Sequence, residues 1–197
     1  MRLTLDDIVD HRAYEREREE FRAHIIQLKK QRRIGVGPFV TIVFENRDTI
    51  RFQIQEMARA EKMVSDAAIQ TELDVYNPLI PERGSLAATL FIELTTKDDL
   101  MEWLPKLVGI ERAVELRIGA PGEEEVVRAR PDAEHERQLT RDEITASVHY
   151  VHFDLTDAQV SRFGSAPIQV AIAHANYAYA SQLSESSKAS LLDDLVG

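Results

Sequence analysis

Glu45, Asn46, Arg47, Gln53 and Glu56 stand among apolar side chains in FENRDTIRFQIQEMARAEK, Phe44 to Lys62. FVTIVFE, β-branched and aromatic, reads as a strand from Phe39 to Glu45. Ile50, Ile54, Met57 and Val64 follow helical spacing, which predicts a helix from about Arg47, capped by Asn46 and with Asp48 in its first turn. Ile50, Phe52 and Ile54 also alternate as in a strand, and Phe52 fits the helix worst. Backbone amides at a strand-to-helix junction lack partners and face the positive end of the helix dipole. Arg47 adds a planar donor suited to carboxylate or phosphate. Glu45-Asn46-Arg47 therefore reads as one wall of an anion pocket, although the charge of Glu45 competes for the same donors. The plainer alternative is a cap and a salt bridge that fix the junction. Gln53 and Glu56, three residues apart, are neighbours on the helix. Burial of that carboxylate would raise its pKa towards a range useful for acid–base chemistry.

The chain has six histidines. His11, His24 and His135 lie in charged surroundings and read as solvated. Glu17, Glu20 and His24 share a helix edge, but in neither the Glu-x-x-His pattern of di-iron bundles nor the His-Glu-x-x-His pattern of zinc enzymes. In SVHYVHFDL, His149 and His152 are three apart, so a regular strand sends them to opposite faces and no single ion joins them without a bulge. His174 extends the apolar face of Ile168, Val170 and Ile172. His149 and His174 read as hydrogen-bonded core residues, or as further walls of the site if their strands lie beside the Arg47 junction. There is no Gly-x-Ser-x-Gly elbow, phosphate-binding Gly-Lys-Ser/Thr loop or dinucleotide glycine fingerprint. With no cysteine and no compact ligand set, we expect no metal centre and no tightly held cofactor.

The elements around these residues point to one α+β domain over residues 1–197, with a mixed or mainly antiparallel sheet. A long N-terminal helix opens it, with Thr4 and Asp7 as its capping pair. Tyr14, Arg18, Phe21, Ile25, Leu28 and Arg32 form one stripe, predicted to be buried on the domain or against a partner subunit. The helix ends near Arg33, where the basic run KKQRR meets the negative end of the dipole; a phosphate contact is the alternative. Ser65 caps a helix through Tyr76 that NPLIP stops. SLAATLFIEL is a strand, and TKDDLMEWLPKLVG is a helix that Pro105 ends or kinks. AVELRIG and EVVRARP form two strands about a glycine-containing turn. Asp132 to Glu143 is charged enough to be a surface loop or a short exposed helix. ITASVHYVHFDL is a strand, a helix starts near Thr156, PIQVAIAH is the last strand, and Ser184 caps a short C-terminal helix. Strict βαβ alternation is missing, so a doubly wound nucleotide fold is the weaker alternative.

A net charge of −10 repels polyanions and sets nucleic acid aside as a general partner. The apolar runs are far shorter than the roughly 20 residues of a membrane span. The N-terminus has no apolar signal region, and the absence of cysteine rules out disulfides. Together these predict a cytoplasmic protein.

LTLDDI, GPFVTIVFENRDT, FQIQEMARAE, ATLFIEL, WLPKLVG and HANYAYASQLSESSKASLLDDL, in that order, resemble a bacterial family designated domain of unknown function 3501. The resemblance implies a cytoplasmic accessory protein, of a kind encoded near rubrerythrin-like proteins and iron–sulfur or heterodisulfide-reductase-like oxidoreductases. It brings no catalytic residues. The family pattern His-Pro-x-Tyr is His174-Ala175-Asn176-Tyr177 here, which puts a rigid turn at that place in doubt. Three readings follow. The first is a non-catalytic accessory or binding protein serving an iron-dependent redox system. The second is a small-molecule enzyme using a histidine or glutamate near Glu45-Asn46-Arg47. The third is a structural homodimer built through the first helix.

Overall fold

From Val40 to Glu45 every residue is buried, so this strand has no solvent side and needs cover on both faces. The rest of the fold supplies it. The computed structural model describes residues 2–132 and 143–197; the expected loop or helix at Asp132–Glu143, and His135 with it, falls almost wholly outside them. In chain order the elements are α1 (His11–Arg32), β1 (Arg33–Val36), β2 (Val40–Glu45), α2 (Arg47–Ala60), α3 (Asp66–Tyr76), β3 (Ser85–Ile92), α4 (Lys97–Trp103), β4 (Val114–Ile118), β5 (Glu125–Arg128), β6 (Arg130–Pro131), β7 (Val148–Asp154), α5 (Asp157–Ser165), β8 (Ile168–His174), β9 (Tyr177–Gln182) and α6 (Glu185–Val196).

The strands form two antiparallel sheets, one ordered β1-β2-β3-β7-β6 and the other β5-β4-β8-β9. Alternation along each strand sorts residues between layers. Ile42, Phe44, Leu90, Val151 and Phe153 face the second sheet, where Val114, Leu116, Val170 and Ile172 complete the main core. Thr89 pairs with Val43 on one side and Tyr150 on the other, so these residues line the opposite face. Over that face lie α1 and α2, with Ile50, Ile54, Leu73, Leu79 and Leu3 in a second apolar cluster. The expected α+β class with antiparallel pairing, a long first helix and a short last one is what the structure has. No described helix is long and apolar enough to cross a membrane.

Several boundaries differ from expectation. Thr4 and Asp7 do form a capping box, but on a separate 3-10 turn at Leu5–Asp7. Asp10 caps α1, accepting from the Ala13 amide at 2.9 Å. The two are distinct because Leu3, Leu5 and Ile8 join the second apolar cluster, which bends the chain before the helix begins. Two strands were missed. RIGV begins where the sequence predicts only the helix end near Arg33, yet it forms β1 and pairs with β2 at this edge. Here Gly37, at φ +77°, lies where a Cβ would come within 2.6 Å of the Tyr177 hydroxyl. That hydroxyl donates to Val36 O at 2.7 Å and accepts from the Val40 amide at 3.2 Å. PIQVAIAH is followed by β9, whose exposed alanines gave no apolar alternation to detect.

The α1 stripe is buried at Tyr14 and Ile25 and half-buried at Phe21 and Leu28. Phe21 meets Phe52 edge-on, with ring centres 5.7 Å apart, which explains the helical Phe52 that broke the apolar spacing. At the end of the stripe Arg32, from the basic run, is 2% exposed. It donates to Asp194 Oδ2 at 2.6 Å and to Ser190 O at 2.8 Å, joining α1 to α6.

Burial pushes the Asp194 carboxyl up, and Arg32 opposes the shift. Removing one member of such a pair strands the other in a poor solvent. Arg32→Met is expected to cost about 3–5 kcal/mol, most of it recovered in Arg32→Met/Asp194→Leu. Urea denaturation of the two variants checks this; equal losses in both would show that the pairing is not what matters.

Candidate functional site

At the Glu45 junction the sequence elements form as expected. Asn46 accepts from the Thr49 amide at 3.0 Å and its own amide donates to Thr49 Oγ1 at 2.9 Å, a reciprocal cap. Arg47 is ion-paired with Asp7, and the Arg51 guanidinium reaches Asp7 O and Glu17. The anion expected at Arg47 is thus a carboxylate of the same chain. The Thr4 amide, chiefly, and Arg47 hold Asp7 below its ordinary pKa.

Glu56 points elsewhere. It accepts from Arg18 through both oxygens, at 2.8 and 2.9 Å, and from the Tyr14 hydroxyl at 2.8 Å. Arg18 lowers its pKa, the opposite of what a general acid at neutral pH requires. The residue pins α1 to α2. Gln53 does not pair with it and instead lines a cavity together with Tyr76.

Glu45 and Gln53 do come together, in a cavity of about 260 Å³ between the outer sheet face, α1 and α2. Lys29, Thr49, Tyr76, Thr89 and Tyr150 supply its other polar groups, and Ile50, Leu79, Phe91 and Val148 its apolar ones. Each wall follows from a periodicity. Glu45, Thr89 and Tyr150 are outward-facing positions on three adjacent strands, while Ile50 and Gln53 lie one helical turn apart. Glu45 is 8% exposed and accepts from Thr89 Oγ1 at 2.7 Å. Burial raises the pKa of Tyr150 most and that of Tyr76 as well, so both phenols stay neutral. Tyr76, Tyr150 and Lys29 were missed as site residues. Tyr150 was legible, since the alternation that separates His149 from His152 also puts Tyr150 opposite His149. Tyr76 was seen only as a helix end, and Lys29 only as part of a basic run.

The histidines lie apart from this cavity. His149 faces the main core, 3% exposed. Its Nε2 is 2.8 Å from Thr145 Oγ1 and 2.9 Å from Ala146 O, and its Nδ1 is 3.9 Å from the buried Glu111 Oε2. The sheet itself separates it from Glu45. His174, on the second sheet, lies 3.1 Å from Val108 O through Nε2 and accepts from the Asn176 amide at Nδ1. A neutral ring satisfies both contacts. The structure therefore gathers Glu45 and Gln53, and places Arg47, Glu56, His149 and His174 elsewhere. His152 lines another cavity, of about 270 Å³, with Arg2, Arg130 and Asp132; its Nε2 is 3.4 Å from Asp132 Oδ2, and burial lowers its pKa. Among the described residues no group of three or more His, Asp or Glu side chains is placed to hold one metal ion.

Comparison with known proteins places these features in a family. The model of a family described as "Protein of unknown function (DUF3501)" matches residues 2–195. A crystal structure titled a novel protein of unknown function from Burkholderia pseudomallei K96243 is 37% identical, covers 99% of this chain and 100% of its own, and superposes with a TM-score of 0.89. No curated protein matches.

Two outcomes follow from the bonded residues. A carboxylate whose folded pKa is depressed stabilises the fold above its unfolded value, 4.5 for Glu56, and loses that contribution as pH falls through the folded pKa. Glu56→Gln is expected to lower the denaturation midpoint at pH 7, with the gap from wild type closing below pH 4.5. A gap that is constant with pH would exclude the Arg18 pairing as its source. The second concerns the 174–177 turn, where His174 pairs with Tyr177 and neither central residue has positive φ. Because Ala175 is not at positive φ, Ala175→Pro is expected to add about 0.4–1 kcal/mol in a urea titration; destabilisation would mean that the turn cannot hold the ring.

Proposed function

The chain belongs to the DUF3501 family, and from that premise we propose that it is a binding protein whose ligand occupies the cavity at Glu45, Gln53, Tyr76 and Tyr150. One observation carries the reading. This cavity combines concavity, apolar walls and convergent polar atoms, and it takes in Glu45 and Gln53 from the groups singled out for chemistry. Arg47 and Glu56 are tied into contacts between helices, and His149 and His174 into backbone contacts. The cavity is smaller than the roughly 300–1,000 Å³ typical of drug-sized ligands, which points to a small molecule. The redox setting implied by the family resemblance gives such a protein a system to serve, as an accessory in the cytoplasm that senses or carries a metabolite. An acid–base enzyme has one feature in its favour, the His152–Asp132 pair beside its own polar cavity. A homodimer through α1 has less support, because the apolar stripe of that helix packs on its own chain.

A fragment screen by amide-resolved nuclear magnetic resonance tests the binding reading. Binders are expected to shift Gln53, Thr89, Val148 and Tyr150, and Val148→Phe, which fills the cavity, should abolish those shifts. If binders map only to other surfaces, or none is found among small polar molecules of any charge, the reading fails.

A further inference from the structure

We propose that this cavity recognises a primary ammonium group, with Glu45 as its counter-charge, on a short-chain amine whose far end faces Lys29. The proposal rests on the binding reading above and adds the ligand's chemical class.

Glu45 carries a charge that no described residue meets within ion-pair distance, although Lys29 lines the same cavity. It is a buried carboxylate, 8% exposed, at the end of a strand covered on both faces. One oxygen, Oε1, accepts from Thr89. A carboxylate has about four acceptor sites, and Thr89 is the one side-chain donor that the described residues bring to this one, which is otherwise open to the cavity it lines. Buried charges are normally paired, because desolvation without a partner costs several kcal/mol. Among the described residues Glu45 makes no ion pair. The nearby guanidinium groups are already engaged: Arg47 by Asp7, and Arg32 by Asp194. Arg32 touches Glu45 only through its main-chain carbonyl, at 3.5 Å. The acid thus lines a cavity with no cation in contact with it among the described residues, Lys29 standing elsewhere in the lining.

The walls suit the same ligand. Tyr76 and Tyr150 present aromatic rings, and a cation gains by lying against such faces. Their hydroxyls stay neutral, so neither competes as an anion. Ile50, Leu79, Phe91 and Val148 offer apolar contact for a few methylene groups. Lys29 brings a positive charge to the same cavity, which favours a carboxylate at the far end and disfavours a second amine. A simple anion has no such fit, since Glu45 repels it from the buried part of the cavity.

The test uses four five-carbon probes of matched size on the full chain: pentylamine, 5-aminopentanoate, pentanol and pentanoate. Amide shifts locate each probe and calorimetry gives its affinity. Pentylamine and 5-aminopentanoate are expected to shift Glu45, Thr89 and Tyr150, with 5-aminopentanoate the tighter and pentanoate absent from the cavity. Glu45→Gln keeps an acceptor for Thr89 and should weaken both amines on the order of tenfold or more. Lys29→Met, at a partly exposed position, should weaken 5-aminopentanoate and spare pentylamine, which tests the charge arrangement even if the Glu45 variant folds poorly. Pentanol or pentanoate binding in the cavity as tightly as the amines would overturn the ammonium proposal and leave the binding site standing. If none of the four reaches the cavity, the proposal falls, and the fragment screen decides whether the binding reading falls with it.

Discussion

The β2–β3–β7 portion of the first sheet is packed on both faces, and most of the chain answers to that constraint. One face meets the second sheet through aliphatic and aromatic side chains, as in a sandwich core. The other lies under helices and carries Thr41, Glu45, Thr89 and Tyr150. Polar groups in such a layer need partners, because water is largely excluded. Thr41 gives its hydroxyl to Glu93, Thr89 gives its hydroxyl to Glu45, and Tyr150 contacts Tyr76. The cavity lies where this pairing is incomplete.

Charges on α1 and α2 play a different part. Glu15, Glu17 and Arg18 on the first helix face Arg59, Arg51 and Glu56 on the second. These pairs are partly exposed and screened by solvent, so each contributes little to stability. Their value is in orientation. They set the register between two helices whose shared apolar contact is narrow, with Phe21, Phe52 and the Arg51 guanidinium stacked over one short stretch. The polar-rich stretch 44–62 is thus mostly an interface with α1. Only its inner edge, at Glu45 and Gln53, belongs to the cavity.

Local signals in the sequence were legible where one periodicity dominates. Asn46, Ser65, Thr156 and Ser184 cap helices that start at the next residue, because a short acceptor ahead of a helical apolar pattern leaves few alternatives. The opposite facing of His149 and His152 followed from strand geometry alone. What stayed hidden depends on the partner across space. β1 is a four-residue edge strand and β9 an edge strand without apolar alternation, and their pairing is secured by the distant Tyr177 hydroxyl and by Ser181, which donates to Gly35 O. A basic run cannot disclose that Arg32 is its buried member, since the partner, Asp194, is near the other end of the chain. The cavity draws residues from α1, α2, the end of α3 and three strands, so no window of sequence contains it.

The Arg32–Asp194 pair also bears on how the protein comes into being. The two residues are 162 positions apart. At a synthesis rate of about 5–20 residues per second, the guanidinium waits on the order of ten seconds before its carboxylate exists. During that wait α1 can form locally, but its C-terminal end has no place in a finished interior. The strands it must cover are incomplete as well, because β3 pairs with β7 across a long intervening segment. A nascent chain in this state presents an amphipathic helix and an unfinished sheet to its surroundings. Closure of that interface at the ribosome is therefore a late event, since it waits for the helix that carries Ser190 and Asp194.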